Sequence, residues 1–213
     1  MLEYVCLVGG AFSVFWYSWI MDDAYVYFRY VDNWVIYGNG LVWNQGEFVE
    51  GFSSPFWTVL LGAFRFLHLD YWLIVRVVAL ICFVSFWYLA CVVNRGFLAS
   101  QTGSRTNIYN IPLIYLSFVY GLACYFSSGL ESPIVNVSAV VYAAVVLWPQ
   151  NLLLQAIIGL TPLVRHEFLL PFLIFISWAM FVRKVRVTCG LLVFAVSVGA
   201  YGVFRIWYYA DLL

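Results

Sequence analysis

The chain has 213 residues, 65% of them hydrophobic and only 9% charged, with a mean hydropathy of +0.95 and zero net charge. A soluble domain carries about a quarter charged residues, so this composition excludes a water-exposed globule and predicts an all-α, polytopic integral membrane protein. Zero net charge leaves no electrostatic footprint for nucleic acid, and the aromatic content of 21% suits rings placed at headgroup level.

Crossing the hydrocarbon as a helix takes ~20 apolar residues. Residues 1–20 fit and are predicted to form a first transmembrane helix. They make a poor signal peptide, with Glu3 in place of a basic region and large aromatics in place of a small-residue cleavage site. Residues 21–52 do not fit. They hold Asp22, Asp23, Arg29, Asp32, Glu47 and Glu50 together with the turn-rich "YGNGLVWNQGE". This predicts a polar loop with short helices, the first over residues 22–37. In "SSPFWTVLLGAFRFLHLD", Ser53 or Ser54 can cap a helix and Pro55 suits its first turn. The run to Leu67 is short for a span and carries Arg65, which predicts a helix lying at the interface, with a tilted span as the competing reading. Further apolar segments are expected over residues 72–93, 108–126, 134–147, 152–164, 168–182 and 187–208, giving about seven spans.

The cysteines Cys6, Cys82, Cys91, Cys124 and Cys189 lie scattered in apolar segments without a CxxC. They read as small buried hydrophobes rather than a disulfide framework or metal site.

Lys and Arg are retained on the cytoplasmic side. Arg183, Lys184 and Arg186 form the strongest basic cluster, and Arg95 and Arg105 flank a second polar loop, "NRGFLASQTGSR". With both in the cytoplasm, the loop 21–70 falls outside, as do "SSGLESP", "VRHEF" and "WYYADLL". Asp22, Asp23, Asp32, Glu47, Glu50, Glu131, Glu167 and Asp211 are thereby gathered on one face, with Arg29, Arg165, His166 and Arg205 near them. Had residues 53–70 formed a true span, Arg95 and Arg105 would lie outside, so the charge pattern favours the interfacial helix.

Each of these groups has a functional and a structural reading. A carboxylate at the membrane boundary can take a proton from an attacking hydroxyl or hold a divalent cation. Asp22 and Asp23 can equally be a solvated pair favoured by a helix dipole. Glu131 in "GLESP" stands at the mouth of a helix, where an acid also simply stabilises the dipole. Arg165, His166 and Glu167 put three ionisable residues in one hairpin turn, more than a turn needs. Arg165 can bind phosphate through its planar fork; His166 alone is no metal site. Arg65 and Arg76, in apolar surroundings, either snorkel to headgroups or meet the phosphate of a lipid-linked substrate.

In sequence, "DDAYVYFRYVDNWVIYGNGLVWNQGEFVEGFSSPFW", Asp22 to Trp57, resembles the first external loop of bacterial GT-C glycosyltransferases such as the mycobacterial arabinofuranosyltransferases, which typically read DDAYISFRYA-N---G-GLVWN-GE-VEGYTSPLW. "GLESP", "VRHEF" and "YYADLL" correspond in order to that superfamily's "GLE-P", "TRPE" and "YYGDLLPN". The resemblance implies a GT-C-like bundle with juxtamembrane helices in the first loop. It implies transfer of a sugar from a polyprenyl phosphate to an extracytoplasmic glycan, lipid or protein acceptor, with inversion. Asp22 or Asp23 would act as general base, with Mg or Mn as a divalent cation on the pair. Arg165, then Arg29 and Arg205, would meet the donor phosphate, and Glu131, His166, Glu167 and Asp211 would line the substrate site.

Two departures stand beside this likeness. His166 replaces the proline of "RPE", and the sequence ends at Leu213 before "PN", where members of the superfamily run on. The expectation is an inner-membrane module lacking the family's C-terminal part, surrounded by membrane lipids, with another membrane chain supplying missing helices. The alternative is a non-catalytic subunit of a larger membrane complex. A transporter is the weaker reading, because the acids gather at one face and only Arg76 suits a midplane.

Overall fold

The computed structural model describes residues 2–102 and 120–210. These are mainly helical, with no strand among the described residues. In chain order the helices are α1 (Leu2–Trp16), α2 (Ala24–Val35), α3 (Pro55–Phe66), α4 (Tyr71–Thr102), α5 (Tyr120–Phe126), α6 (Ser132–Leu147), α7 (Leu152–Val164), α8 (Leu169–Phe181) and α9 (Thr188–Tyr209), with a 3-10 turn, His166–Phe168, before α8. Two of them, α4 and α9, are long and apolar enough to cross a membrane. The chain forms two compact units: Met1–Met21 with Trp72–Trp148, and Asp22–Tyr71 with Pro149–Leu213.

In the first unit, α1, α4 and α5 meet around Val14, Ala79, Phe83, Ala123 and Phe126. Phe126 sits edge-on to Phe83 and Phe86, at centroid distances of 5.5 and 5.6 Å. Interlocking contacts of this kind hold the three helices together. Cys6 and Cys91 pack with Trp87 in a second cluster. All five cysteines are free, Cys6 and Cys91 being buried and the others half-buried.

Two expected boundaries move. The first helix ends at Trp16, short of residue 20, because the next segment finds other partners: the Trp19 indole donates to the Cys124 carbonyl and the Met21 amide to that of Ser128. The helix expected over 72–93 instead runs from Tyr71 to Thr102. The stretch expected as a polar loop thus extends the helix, since "NRGFLASQ" holds no proline and Gly96 packs against Trp148. Most of the span expected over 108–126 lies outside the described residues, as does Arg105; only its end, α5, is described.

In the second unit, α2 packs on α3, and α7 packs on α8 and α9. Ser54 caps α3 by accepting from the Trp57 amide at 3.2 Å, and Pro55 follows it in the first turn. With 12 residues, α3 rises ~18 Å, well short of a hydrocarbon core of ~30 Å. A carbon added at Gly159 would stand 2.7 Å from the Gly190 carbonyl oxygen, so α7 and α9 touch backbone to backbone. Gln155 ties together the segments that lead into these two helices by donating to the carbonyls of Pro149 and Arg186 at 2.8 and 2.9 Å.

Candidate functional site

The segment from Asp22 to Trp57 is organised by α2. Helical spacing puts Tyr27, Tyr30 and Asn33 along one face, and all three reach the following loop. The Tyr27 and Ser53 hydroxyls are 3.0 Å apart, and the Tyr30 hydroxyl donates to the Val49 carbonyl at 2.8 Å. Asn33 donates to the carbonyls of Val42 and Trp43 at 2.8 and 3.0 Å. Burial, reinforced by the charge of Glu50, pushes the Tyr30 phenol above its ordinary range, so at neutral pH it is a donor. Arg29 closes the same loop from α2: its Nε donates to the Trp43 carbonyl at 2.9 Å, a terminal nitrogen donates to Asn44 Oδ1 at 3.1 Å, and its guanidinium lies 4.7 Å from the Trp43 ring centroid.

The loop is fastened at its other side to the last turns of α9. The Tyr201 hydroxyl donates to Glu50 Oε1, and the Arg205 guanidinium forms an ion pair with Glu50 Oε2. The Glu50 side chain is only 10% exposed. The Leu41 amide donates to the Tyr208 hydroxyl, and the Tyr209 hydroxyl donates to the Leu41 carbonyl, both at 2.8 Å. Gly40, at φ +87°, abuts the Tyr208 hydroxyl in a space that admits no side chain. Glu50 was not among the residues the sequence singled out for a site. Its signal was available: Tyr201, Arg205, Tyr208 and Tyr209 repeat at helical spacing and make a polar stripe on an otherwise apolar helix.

Asp22 and Asp23 form a turn ahead of α2, their carbonyls accepting from the Tyr25 and Val26 amides. Both side chains are exposed, and neither carboxylate is hydrogen-bonded or ion-paired among the described residues. Asp23 occupies the helix-capping position without capping through its side chain. The helix predicted to start at Asp22 starts at Ala24, leaving both acids in the turn rather than on a helical face. Among the described residues no group of three or more His, Cys, Asp or Glu side chains converges on a metal-sized site. Two hard, accessible carboxylates do fit a cation such as Mg, which keeps several waters and takes one or two carboxylates.

Asp32 with Arg65 and Arg165 with Glu167 also pair within this unit. Asp32 Oδ1 accepts from Arg65 Nε and from the Tyr71 hydroxyl, both at 2.9 Å. Burial opposes the charge on Arg65, but the Asp32 contact outweighs it and holds the guanidinium above its usual range. Arg165 meets Glu167 through two bonds, Nε to Oε2 at 3.2 Å and a terminal nitrogen to Oε1 at 2.9 Å. That pairing lowers the Glu167 carboxyl below its ordinary value. His166 is exposed beside it, with Nδ1 3.9 Å from Glu167 Oε2. In the other unit, Glu131 directly precedes α6 and is buried, 3% exposed. Asp211 lies outside the described residues.

The structure thus brings Arg205 to Glu50 and Arg165 to Glu167, and it leaves the aspartate pair open to solvent. No protein-family model, curated protein or solved structure matches the chain.

Proposed function

We propose that the chain is a GT-C-like membrane glycosyltransferase with about seven spans, acting at the extracytoplasmic face of an inner membrane on a polyprenyl-phosphate sugar. The observation that carries the reading is the Asp22–Trp57 segment: its residue pattern resembles that superfamily's first external loop, and it folds as short helix, clamped loop and short helix within one unit. A second observation supports the assignment of faces. Arg183, Lys184 and Arg186 precede α9, whereas Arg205, which holds Glu50, lies in its last turns. From Thr188 to Arg205 the helix rises ~26 Å, close to the hydrocarbon thickness of ~30 Å.

In this reading Asp22 or Asp23 takes the proton of an acceptor hydroxyl. The acceptor oxygen bonds to the anomeric carbon as the bond from that carbon to the phosphate oxygen breaks. Polyprenyl phosphate leaves with the electron pair, and single displacement inverts the anomeric centre. Exposure of both aspartates lets an acceptor approach within hydrogen-bond reach, as a general base requires. A divalent cation held by the pair, Mg or Mn, would supply charge compensation to the leaving phosphate. Replacing Asp22 and Asp23 singly by Asn and assaying transfer from a polyprenyl-phosphate sugar tests the base; full activity in both variants sinks it.

The arginines favour a second reading, a non-catalytic subunit of a larger membrane assembly. Arg29, Arg165 and Arg205 are each engaged by groups of the same unit rather than aimed at open space. That reading predicts co-purification with a partner membrane chain, and transfer unaffected by either aspartate substitution in the assembled complex.

A further inference from the structure

Arg65 and Arg76 look alike in the sequence, each a cation in an apolar run. The structure separates them. Arg65 has the Asp32 carboxylate at 2.9 Å. Arg76, on the second turn of α4, has no carboxylate partner among the described residues. Its Nε donates to the Ser18 hydroxyl at 2.9 Å. Its guanidinium carbon lies 5.2 Å from the ring centroids of both Phe15 and Trp72. The side chain is therefore half-buried and fixed in place, with both terminal nitrogens left as donors.

A half-buried cation without an anion is costly, and one hydroxyl does not neutralise it. The aromatic faces attract the cation through their quadrupoles and hold the guanidinium plane, which is the preorganisation a bidentate oxyanion contact uses. Helical side chains lean toward the N-terminus, so Arg76, about 7 Å along the axis from Tyr71, sits level with the first turn of a helix long enough to span. Around it Phe12, Phe15, Trp16, Trp72, Leu73 and Val77 are exposed. A ligand that suits both features carries an anionic phosphate and a hydrocarbon tail.

We propose that Arg76, Ser18, Phe15 and Trp72 form a binding site for the phosphate ester of a membrane lipid. The site stands on residues of the first unit alone and does not rest on the glycosyl-transfer reading. Its occupant is a glycerophospholipid or a polyprenyl phosphate, which share the recognised group.

The test uses the purified full chain in neutral detergent, with bound lipid counted by native mass spectrometry. One arm compares dioleoylphosphatidic acid with dioleoylglycerol; the other compares a polyprenyl phosphate with its free polyprenol. A charged hydrogen-bonded contact predicts retention of the phosphate-bearing member about tenfold over its alcohol. Arg76→Gln is expected to bring the pair to near parity. Arg76→Lys keeps the charge but loses the fork, and falls between. Ser18→Ala, which removes one oxygen and adds no bulk, lowers retention about twofold by freeing the guanidinium. Arg183→Gln, in the basic cluster, leaves retention unchanged. Preference in the first arm identifies a glycerophospholipid site, and preference in the second a polyprenyl site. Unchanged retention in Arg76→Gln, or an equal loss in Arg183→Gln, overturns the proposal.

Discussion

Replacing Glu50 by Ala removes the carboxylate that joins the first loop to α9. The Glu50 side chain is 10% and that of Arg205 27% exposed, so the pair is largely withdrawn from solvent. Breaking a buried pair by deleting one member costs about 3–5 kcal/mol, chiefly because the other charge stays behind. Arg205 keeps partial access to water, which brings the expected loss to about 2–3 kcal/mol. Glu50→Gln retains an acceptor for the Tyr201 hydroxyl and removes only the charge, for about 1–2 kcal/mol. Thermal unfolding in neutral detergent, followed by tryptophan fluorescence, reads these changes. Limited proteolysis should show faster cutting within residues 38–54, which lose their anchor. In a double-mutant cycle, Glu50→Ala and Arg205→Ala should couple by about 1–3 kcal/mol. Because the pair is mostly screened from solvent, raising salt from about 0.05 to 0.5 M should change that coupling little. Additivity of the two substitutions within about 0.5 kcal/mol, with unchanged proteolysis, would refute the anchor.

Gly159→Ala sets a carbon 2.7 Å from the Gly190 carbonyl oxygen, so α7 and α9 must part; the expected cost is about 1–3 kcal/mol. Gly199→Ala, with nothing within 4 Å, is its control and should be neutral or stabilising by up to about 1 kcal/mol; matched melting temperatures for the two variants would contradict the close packing. Glu167 has a lowered carboxyl pKa because Arg165 donates to it. The contribution of that pair is therefore fully present above the ordinary glutamate value of about 4.3 and is lost only as pH falls through the lower folded value. Carbon-13 titration of Glu167 should show the midpoint rise toward the ordinary value in Arg165→Gln, and an unmoved midpoint contradicts the assignment. Asp22→Asn or Asp23→Asn should change stability by no more than about 0.5 kcal/mol, since both side chains are exposed; under the proposed function one of them should abolish sugar transfer. A large loss of stability in either would show that the pair holds structure rather than awaiting a substrate.

The sequence alone determined the helical class and most of the helices. Its scarcity of charge led to the expectation of membrane spans, and two helices, α4 and α9, are long and apolar enough to cross a membrane. The helices α6 and α7 begin and end close to where the sequence places them, because Ser132, Pro133 and Asn151 bound apolar runs with local signals. The Asn151 side chain accepts from the Leu154 amide at 3.1 Å, and Ser54 with Pro55 likewise starts α3. Capping and helix propensity act over a few residues, so a linear reading recovers them. The extension of α4 through "NRGFLASQ" escaped that reading because polarity alone does not end a helix.

Tertiary structure decided which ionisable groups are held and which stand open. Arg65 and Arg76 are equivalent as isolated cations, yet one meets Asp32 and the other a hydroxyl and two rings. Glu50 gains its importance from Tyr201, 151 positions away, and no local pattern around Glu50 records that meeting. It arises because Gly159 and Gly190 let α7 and α9 pack closely while α2 carries the loop through Tyr27, Tyr30 and Asn33. The fate of a charge withdrawn from water depends on its nearest counter-group. In this chain those counter-groups are brought by helix packing: the polar stripe on α9 was legible in the sequence, but that it meets Glu50 was decided by the fold.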